Sequence, residues 1–353
     1  MYKRQKLDDM NNFFFNNLSK NYFLFLIIFS SYTLPAFSES GVSVFMYHRF
    51  GEDKYPSTNV SEEQFFSHID YILSNEIKVI KLEELIKDLD QNKIFNDKTV
   101  AFSVDDAYSS FYKIAWPIFR DNEIPVTLFL STEIIDNRTN GYMTWEEIKT
   151  FVDEGGSIGQ HTSTHLHMPL NSISEIKEDI LNSHKSWIKN IGYIPKLFAY
   201  PYGESSNEVI DILKEFGISH AFGQHSGVIS SFDNRYYLPR FSLNERFGNI
   251  DRFEFAVNAY SLNIKDFLPG DMFLIDNKKP LIEFSIVNSL KGSPIDCFSN
   301  PGGKWDKQEI INIKKNRFQI KLKEDYLSGR ARLNCTTRVD DEWYWFGYQF
   351  LIK

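Results

Sequence analysis

Between residues 42 and about 260 the chain alternates short β-rich runs with amphipathic helical stretches, and this alternation limits its fold more than any other feature. Strands that recur with a helical segment between them are satisfied by a parallel sheet whose faces the helices cover, so the chain is expected to be α/β. The strand candidates are residues 42–47, 99–104, 126–131, 157–159, 197–200 and 220–222. Helix starts are marked by Ser61-x-x-Gln64, Thr144-x-x-Glu147 and Ser172-x-x-Glu175. Each matches a capping box, in which the two side chains satisfy amides that the first turn leaves unpaired. After Ser172, the apolar residues Ile173, Ile176, Ile180, Trp187, Ile188 and Ile191 recur at helical spacing and predict a helix that packs one face on the sheet. From about Asp266 the helical period ends. Alternating runs at 281–286, 318–322 and 343–351, separated by Pro301-Gly302-Gly303 and Ser328-Gly329, predict a small antiparallel β domain over 266–353. A chain of 353 residues is also longer than one hydrophobic core usually supports, which again favours a larger domain, 39–262, and a smaller one.

The formal charge is -8 and no long Lys/Arg cluster is present, so a nucleic-acid partner, whose binding rests on neutralising phosphates, is not expected. Lys3, Arg4, Lys6 and Lys20 precede an apolar stretch at 22–34, and Ala36-Phe37-Ser38 supplies small residues where a signal peptidase cuts. Residues 1–38 therefore read as a signal peptide. The protein is expected to be exported to the periplasm, cell envelope or exterior, touching a membrane only through this segment if it stays uncleaved. The only two cysteines, Cys297 and Cys335, are expected to form a structural disulfide in such a compartment.

The chemistry concentrates in two places. Asp105 and Asp106 stand side by side where the run 99–104 ends. Adjacent carboxylates at a buried strand end repel each other and are best tolerated where a cation offsets them. Further on, His161 and His165 follow the next-but-one strand candidate at a spacing that would put both imidazoles on one side of a helical turn, where they can chelate one metal ion. With Asp106 they make a two-His, one-Asp set that leaves coordination positions open, as catalytic metal sites require. His167 reads as a bystander. In the tail, Trp305, Trp343, Trp345 and Phe346 read first as core and second as surfaces on which sugar rings could stack.

Ser103-Val104-Asp105-Asp106-Ala107 resembles the first motif of the polysaccharide deacetylases (carbohydrate esterase family 4, the NodB-homology domain), and His161-Thr162-Ser163-Thr164-His165 resembles their second. The resemblance covers about residues 42–260 and implies a distorted (β/α) barrel. It also implies that Asp105 is the catalytic base and that Asp106, His161 and His165 hold a divalent metal, with Zn2+ favoured by the ligand types. Phe198-Ala199-Tyr200-Pro201-Tyr202-Gly203 resembles the third motif, which puts Tyr202 at the substrate. That motif normally carries an Arg, which orients the base, where Ala199 stands; Arg240, counted with Tyr202 among the substrate-binding residues, or Arg49 would take its place. Phe45-Met46-Tyr47-His48-Arg49-Phe50 resembles the first-strand element of the poly-N-acetylglucosamine deacetylase branch, which makes His48 the catalytic acid. The implied activity is removal of N-acetyl groups from an amino-sugar polysaccharide. Peptidoglycan, chitin oligomers and lipid-linked sugars are alternative substrates, and a non-catalytic glycan-binding protein with a degenerate site is the rival from another class.

Overall fold

The structure, a computed structural model, describes residues 40–353; the signal peptide expected over 1–38 lies outside the described residues. Among the described residues the main sheet has eight strands, seven of them in line: β1 (Val42–Tyr47), β2 (Thr99–Asp105), β3 (Val126–Leu130), β4 (Ser157–Gln160), β5 (Leu197–Ala199), β6 (His220–Phe222) and β7 (Phe241–Ser242). Their order is β7-β1-β2-β3-β4-β5-β6, with every pair parallel, and the short strand Lys78–Val79 also pairs with β2. The sheet curls into a distorted (β/α) barrel whose two edges approach through a bridge between Phe222 and Leu238. Every residue of β1 and of β2 is buried, as is usual for parallel strands covered on both faces. Phe45, Tyr47, Phe50, Phe65 and Phe102 pack together in the core.

All three capping boxes form: Ser61 with Gln64, Thr144 with Glu147 and Ser172 with Glu175. The helix Ile173–Asn190 buries Ile176, Ile180 and Trp187 but leaves Ile173 and Ile188 exposed, so its apolar stripe is narrower than the sequence predicts. Among the described residues no helix is long and apolar enough to cross a membrane.

After Leu262 the chain builds β8 (Ile264–Leu268), β9 (Ile282–Ile286), β10 (Ile295–Ser299), β11 (Asp306–Lys307), β12 (Glu309–Lys314), β13 (Arg317–Lys321), β14 (Gly329–Val339) and β15 (Glu342–Ile352). They form two sheets, β8-β9-β13-β12 and β15-β14-β10-β11, in which these strands pair antiparallel. Burial along β14 has the period of two expected of a one-sided sheet: Ala331, Leu333, Cys335 and Val339 are buried while Arg332, Asn334 and Thr336 are partly exposed. Cys297 and Cys335 lie directly opposite each other on β10 and β14 and are joined by a disulfide across a sequence separation of 38. Replacing both by Ser is expected to lower stability by about 2–4 kcal/mol, read from chemical denaturation.

The tail sits against the barrel. Gly347 of β15 comes so close to the backbone of Ser226 that any side chain there would overlap the Ser226 carbonyl. Beside it, Gln349 Nε2 donates to the carbonyls of Tyr202 (3.1 Å) and Gly203 (3.0 Å), and Tyr237 Oη reaches the carbonyls of Gly203 and Gln349, each at 3.0 Å. The tail thus grips the turn that carries Tyr202.

Candidate metal centre and groove

Parallel strands present their C-terminal ends on one side of the barrel, so residues far apart in sequence meet there. Asp105 ends β2, His161 follows β4, Tyr202 lies just beyond β5 and His48 follows β1. The loops that carry them are tied to β3: Asp106 N donates to Phe129 O (2.9 Å), His161 N to Leu130 O (3.1 Å) and Ser131 Oγ to His161 O (2.6 Å). Asp106, Ala107, Thr162, His165 and Tyr202 all have positive φ, between 56° and 75°. Such a cluster of non-glycine residues in a costly conformation marks a site whose surroundings over-determine the backbone.

The structure brings Asp106, His161 and His165 together, with one ligand atom of each within 4.8 Å of the others. Both histidine Nε2 atoms face the same carboxylate oxygen, Asp106 Oδ1, at 3.5 Å for His161 and 3.4 Å for His165. His161 Nδ1 lies 2.7 Å from the Ala199 carbonyl, which can only accept, so Nδ1 donates there and Nε2 is the nitrogen left to bind a metal. That Nε2 is fully buried and has no hydrogen-bond partner among the described residues. Burial and the neighbouring His161 bring His165 down to about 4, so its ring is neutral at ordinary pH. Two imidazole lone pairs and a carboxylate oxygen converging on one point lack a donor, and a divalent cation fits them.

The two histidines do not share a helical turn, contrary to the reading of their spacing. Residues 161–167 form a loop without helix. The carboxylate of Asp179 fixes it instead, accepting from Ser163 N (2.6 Å), Thr164 N (3.0 Å) and Thr164 Oγ1 (2.6 Å). Left-handed backbone at Thr162 and His165 turns the two rings toward Asp106.

Asp105 is fully buried, and so is Arg240. The Arg240 guanidinium forks onto it, with NH1 to Oδ1 at 2.7 Å and NH2 to Oδ2 at 2.8 Å, while Nε donates to Gly223 O (3.0 Å) and NH1 also to Ser103 Oγ (3.2 Å). Burial alone would raise the Asp105 carboxyl, but the guanidinium holds it below the usual carboxylate range. Arg240 has no exposed surface and contacts Asp105 rather than Tyr202, the place expected of a residue that stands in for the base-orienting Arg missing at Ala199. Arg49 lies elsewhere, with its guanidinium over Tyr108 (3.5 Å) and Tyr55 (4.1 Å) and paired with Glu52 (2.6 Å).

His48 and Tyr202 both line a cavity of about 1520 Å³ that opens over Asp106 and His165. Burial pushes His48 below the ordinary histidine value, partly offset by Asp106 and Asp105, and its Nδ1 has no partner among the described residues. Tyr202 has φ 60° and stands edge-on to His165, with ring centroids 4.5 Å apart. His167, expected from the sequence to be a bystander, touches Tyr202 and Glu204. Its ring lies flat on Tyr202 at 3.8 Å and 5°, and its Nδ1 meets the buried Glu204 carboxylate at 2.7 Å. Its one sequence signal is proximity to His165.

Residues 92–221 match the family model described as polysaccharide deacetylase. A poly-β-1,6-N-acetyl-D-glucosamine N-deacetylase of Staphylococcus aureus is 25% identical over 228 residues, covering 61% of this chain and 77% of the relative. Two solved structures share the fold. The deacetylase PplD of Streptococcus pyogenes has a TM-score of 0.55 at 18% identity, over 60% of this chain and 95% of its own. IcaB of Ammonifex degensii has a TM-score of 0.52 at 23% identity, over 62% of this chain and 95% of its own.

Proposed function

We propose that this chain, a member of the polysaccharide deacetylase family, is a metal-dependent hydrolase that removes N-acetyl groups from an amino-sugar polysaccharide, with poly-β-1,6-N-acetylglucosamine the first candidate. The observation that carries the reading is the convergence of Asp106, His161 and His165 beside a buried Asp105 that Arg240 holds ionised. A divalent cation held by those three side chains, zinc fitting their donor types best, supplies Lewis acidity toward an amide carbonyl and a water of lowered pKa. Asp105 takes the proton of the attacking water, which it can do because Arg240 keeps it a carboxylate at neutral pH. Tyr202 covers the acetyl group, and its backbone N–H donates to the carbonyl oxygen as negative charge develops there. His48 protonates the leaving nitrogen, since an amine anion is too poor a leaving group to depart unassisted. We also read the chain as exported, a compartment in which the Cys297–Cys335 disulfide persists, and as an α/β deacetylase domain over 39–262 followed by a β domain over 266–353.

The test is to incubate the zinc-loaded protein with a panel of N-acetylated and O-acetylated glycans and to measure released acetate. Acetate from N-acetylglucosamine polymers is expected, and none from any N-acetylated glycan would refute the reading. His48→Ala is expected to keep the metal but lower turnover. The wild-type rate should fall as pH rises through the His48 pKa, because the imidazolium donor is lost, and burial sets that limb below the ordinary histidine value. In the variant the limb should vanish; an unchanged pH-rate profile would remove His48 from the chemistry.

A further inference from the structure

We infer that the β tail is the second wall of the substrate groove and binds sugar residues flanking the one that is deacetylated, an inference that rests on the deacetylase reading above. The cavity over Asp106 and Tyr202 does not end at the barrel: it continues along the face of the sheet β15-β14-β10-β11, where Phe298, Trp305, Arg332, Asn334, Thr336 and Trp343 line it. Its volume of about 1520 Å³ exceeds that of a pocket for one small molecule, which runs to roughly 1000 Å³.

The face's composition indicates what it meets. On the opposite face, Leu333, Cys335 and Phe350 are buried in the tail's own core. The cavity face is instead polar and aromatic, and its large rings stay open: Phe298 is 40% exposed, Trp305 48% and Trp343 39%. Their neighbour Trp345 is more closely packed, between Phe241 (5.2 Å) and Phe255 (5.5 Å), whereas among the described rings Trp343 meets Phe255 alone (5.7 Å). Among the described residues Phe298 and Trp305 meet no other ring. Flat rings interleaved with Asn, Thr and Arg donors suit a pyranose, which offers an apolar face and a rim of hydroxyl and amide groups.

The register sets the reach. Trp343 stands opposite Arg338 and Phe298 opposite Asn334, four residues further along β14. At about 3.4 Å per residue and about 4.8 Å per strand, the Cα atoms that carry the two rings are roughly 17 Å apart, more than one sugar can span. The occupant is therefore an oligomer. Gly347 and Gln349 fix this wall to the barrel and to the turn of Tyr202, so the rings hold a set distance from the reacting centre.

The test compares acetate release from β-1,6-linked N-acetylglucosamine oligomers of two and six sugars. For the wild type, kcat/KM should rise with length. Trp343→Ala and Trp305→Ala should each lose roughly tenfold on the six-sugar substrate, chiefly in KM, and clearly less on the two-sugar one, while Trp343→Phe restores most of the gain. Metal content and thermal melting check that each variant is folded, and the exposed Trp305 gives a readout even if Trp343→Ala is unstable. Equal losses at both lengths, or none, would overturn the inference. Calorimetric titration of the six-sugar oligomer separates the two claims: binding that depends on Trp343 without acetate release would sink only the deacetylase reading. Acetate release that is indifferent to the tail would sink only this one.

Discussion

Arg240→Met is expected to abolish turnover at neutral pH and to cost about 3–5 kcal/mol of stability, the usual loss when one partner of a buried ion pair is removed. Asp105 has no exposed surface, and both of its oxygens are held by the guanidinium. Without that cation, burial dominates and the carboxyl takes up a proton, which leaves it unable to act as a base. The sign with pH follows. In the wild type the Asp105 pKa is depressed on folding, so its contribution to stability is present above the unfolded value and is lost as pH falls through the folded one. In the variant the acid limb of the pH-rate profile should move to higher pH, into the range where the His48 imidazolium is already lost, so that the maximum rate falls as well. Chemical denaturation and the pH-rate profile measure both effects. A variant with a wild-type profile would mean that Arg240 does not govern the base.

His161→Ala, His165→Ala and Asp106→Asn should each strip the metal and lower acetate release by more than about 100-fold, beyond the loss typical of removing a group that only supports a ligand. Each removes one of three side chains that close on a single point. The change at His161 goes furthest, because its Nε2 is buried and its Nδ1 is anchored to Ala199 O, so no neighbouring group can swing in to replace it. Elemental analysis of the purified variants decides this, and near-stoichiometric metal in all three would remove these residues from the site.

Much of this site was legible in the sequence, because strand ends of a parallel sheet gather on one side and the residues after them are named by position. Asp105, Asp106, His161 and His48 each follow a run whose β character was plain. Arg240 was harder: it precedes β7, a two-residue strand with too little periodicity to notice, and reaches Asp105 across the barrel interior. The loop at 161–167 misled for another reason. A spacing of four reads as helix, whereas the conformation is set by Asp179, a residue on a later helix whose role no local pattern announces. The tail showed its strands through alternation, but sequence does not tell which face of a sheet turns toward a groove, so its aromatics read first as core and only second as a stacking surface. Only the docking of Gly347 and Gln349 on the barrel reveals which ones line the cavity.

The central claim is that Asp105 is a base held ionised beside a metal that other residues carry, and Asp105→Asn separates those two roles. The amide keeps the shape of the carboxyl but cannot accept a proton, and Asp105 is not among the three side chains that converge on the ion. Metal content and acetate release from an N-acetylglucosamine polymer should therefore be measured on the same preparations of wild type and variant. The account predicts equal metal in both and acetate from the wild type alone; acetate released by Asp105→Asn at the wild-type rate would contradict it.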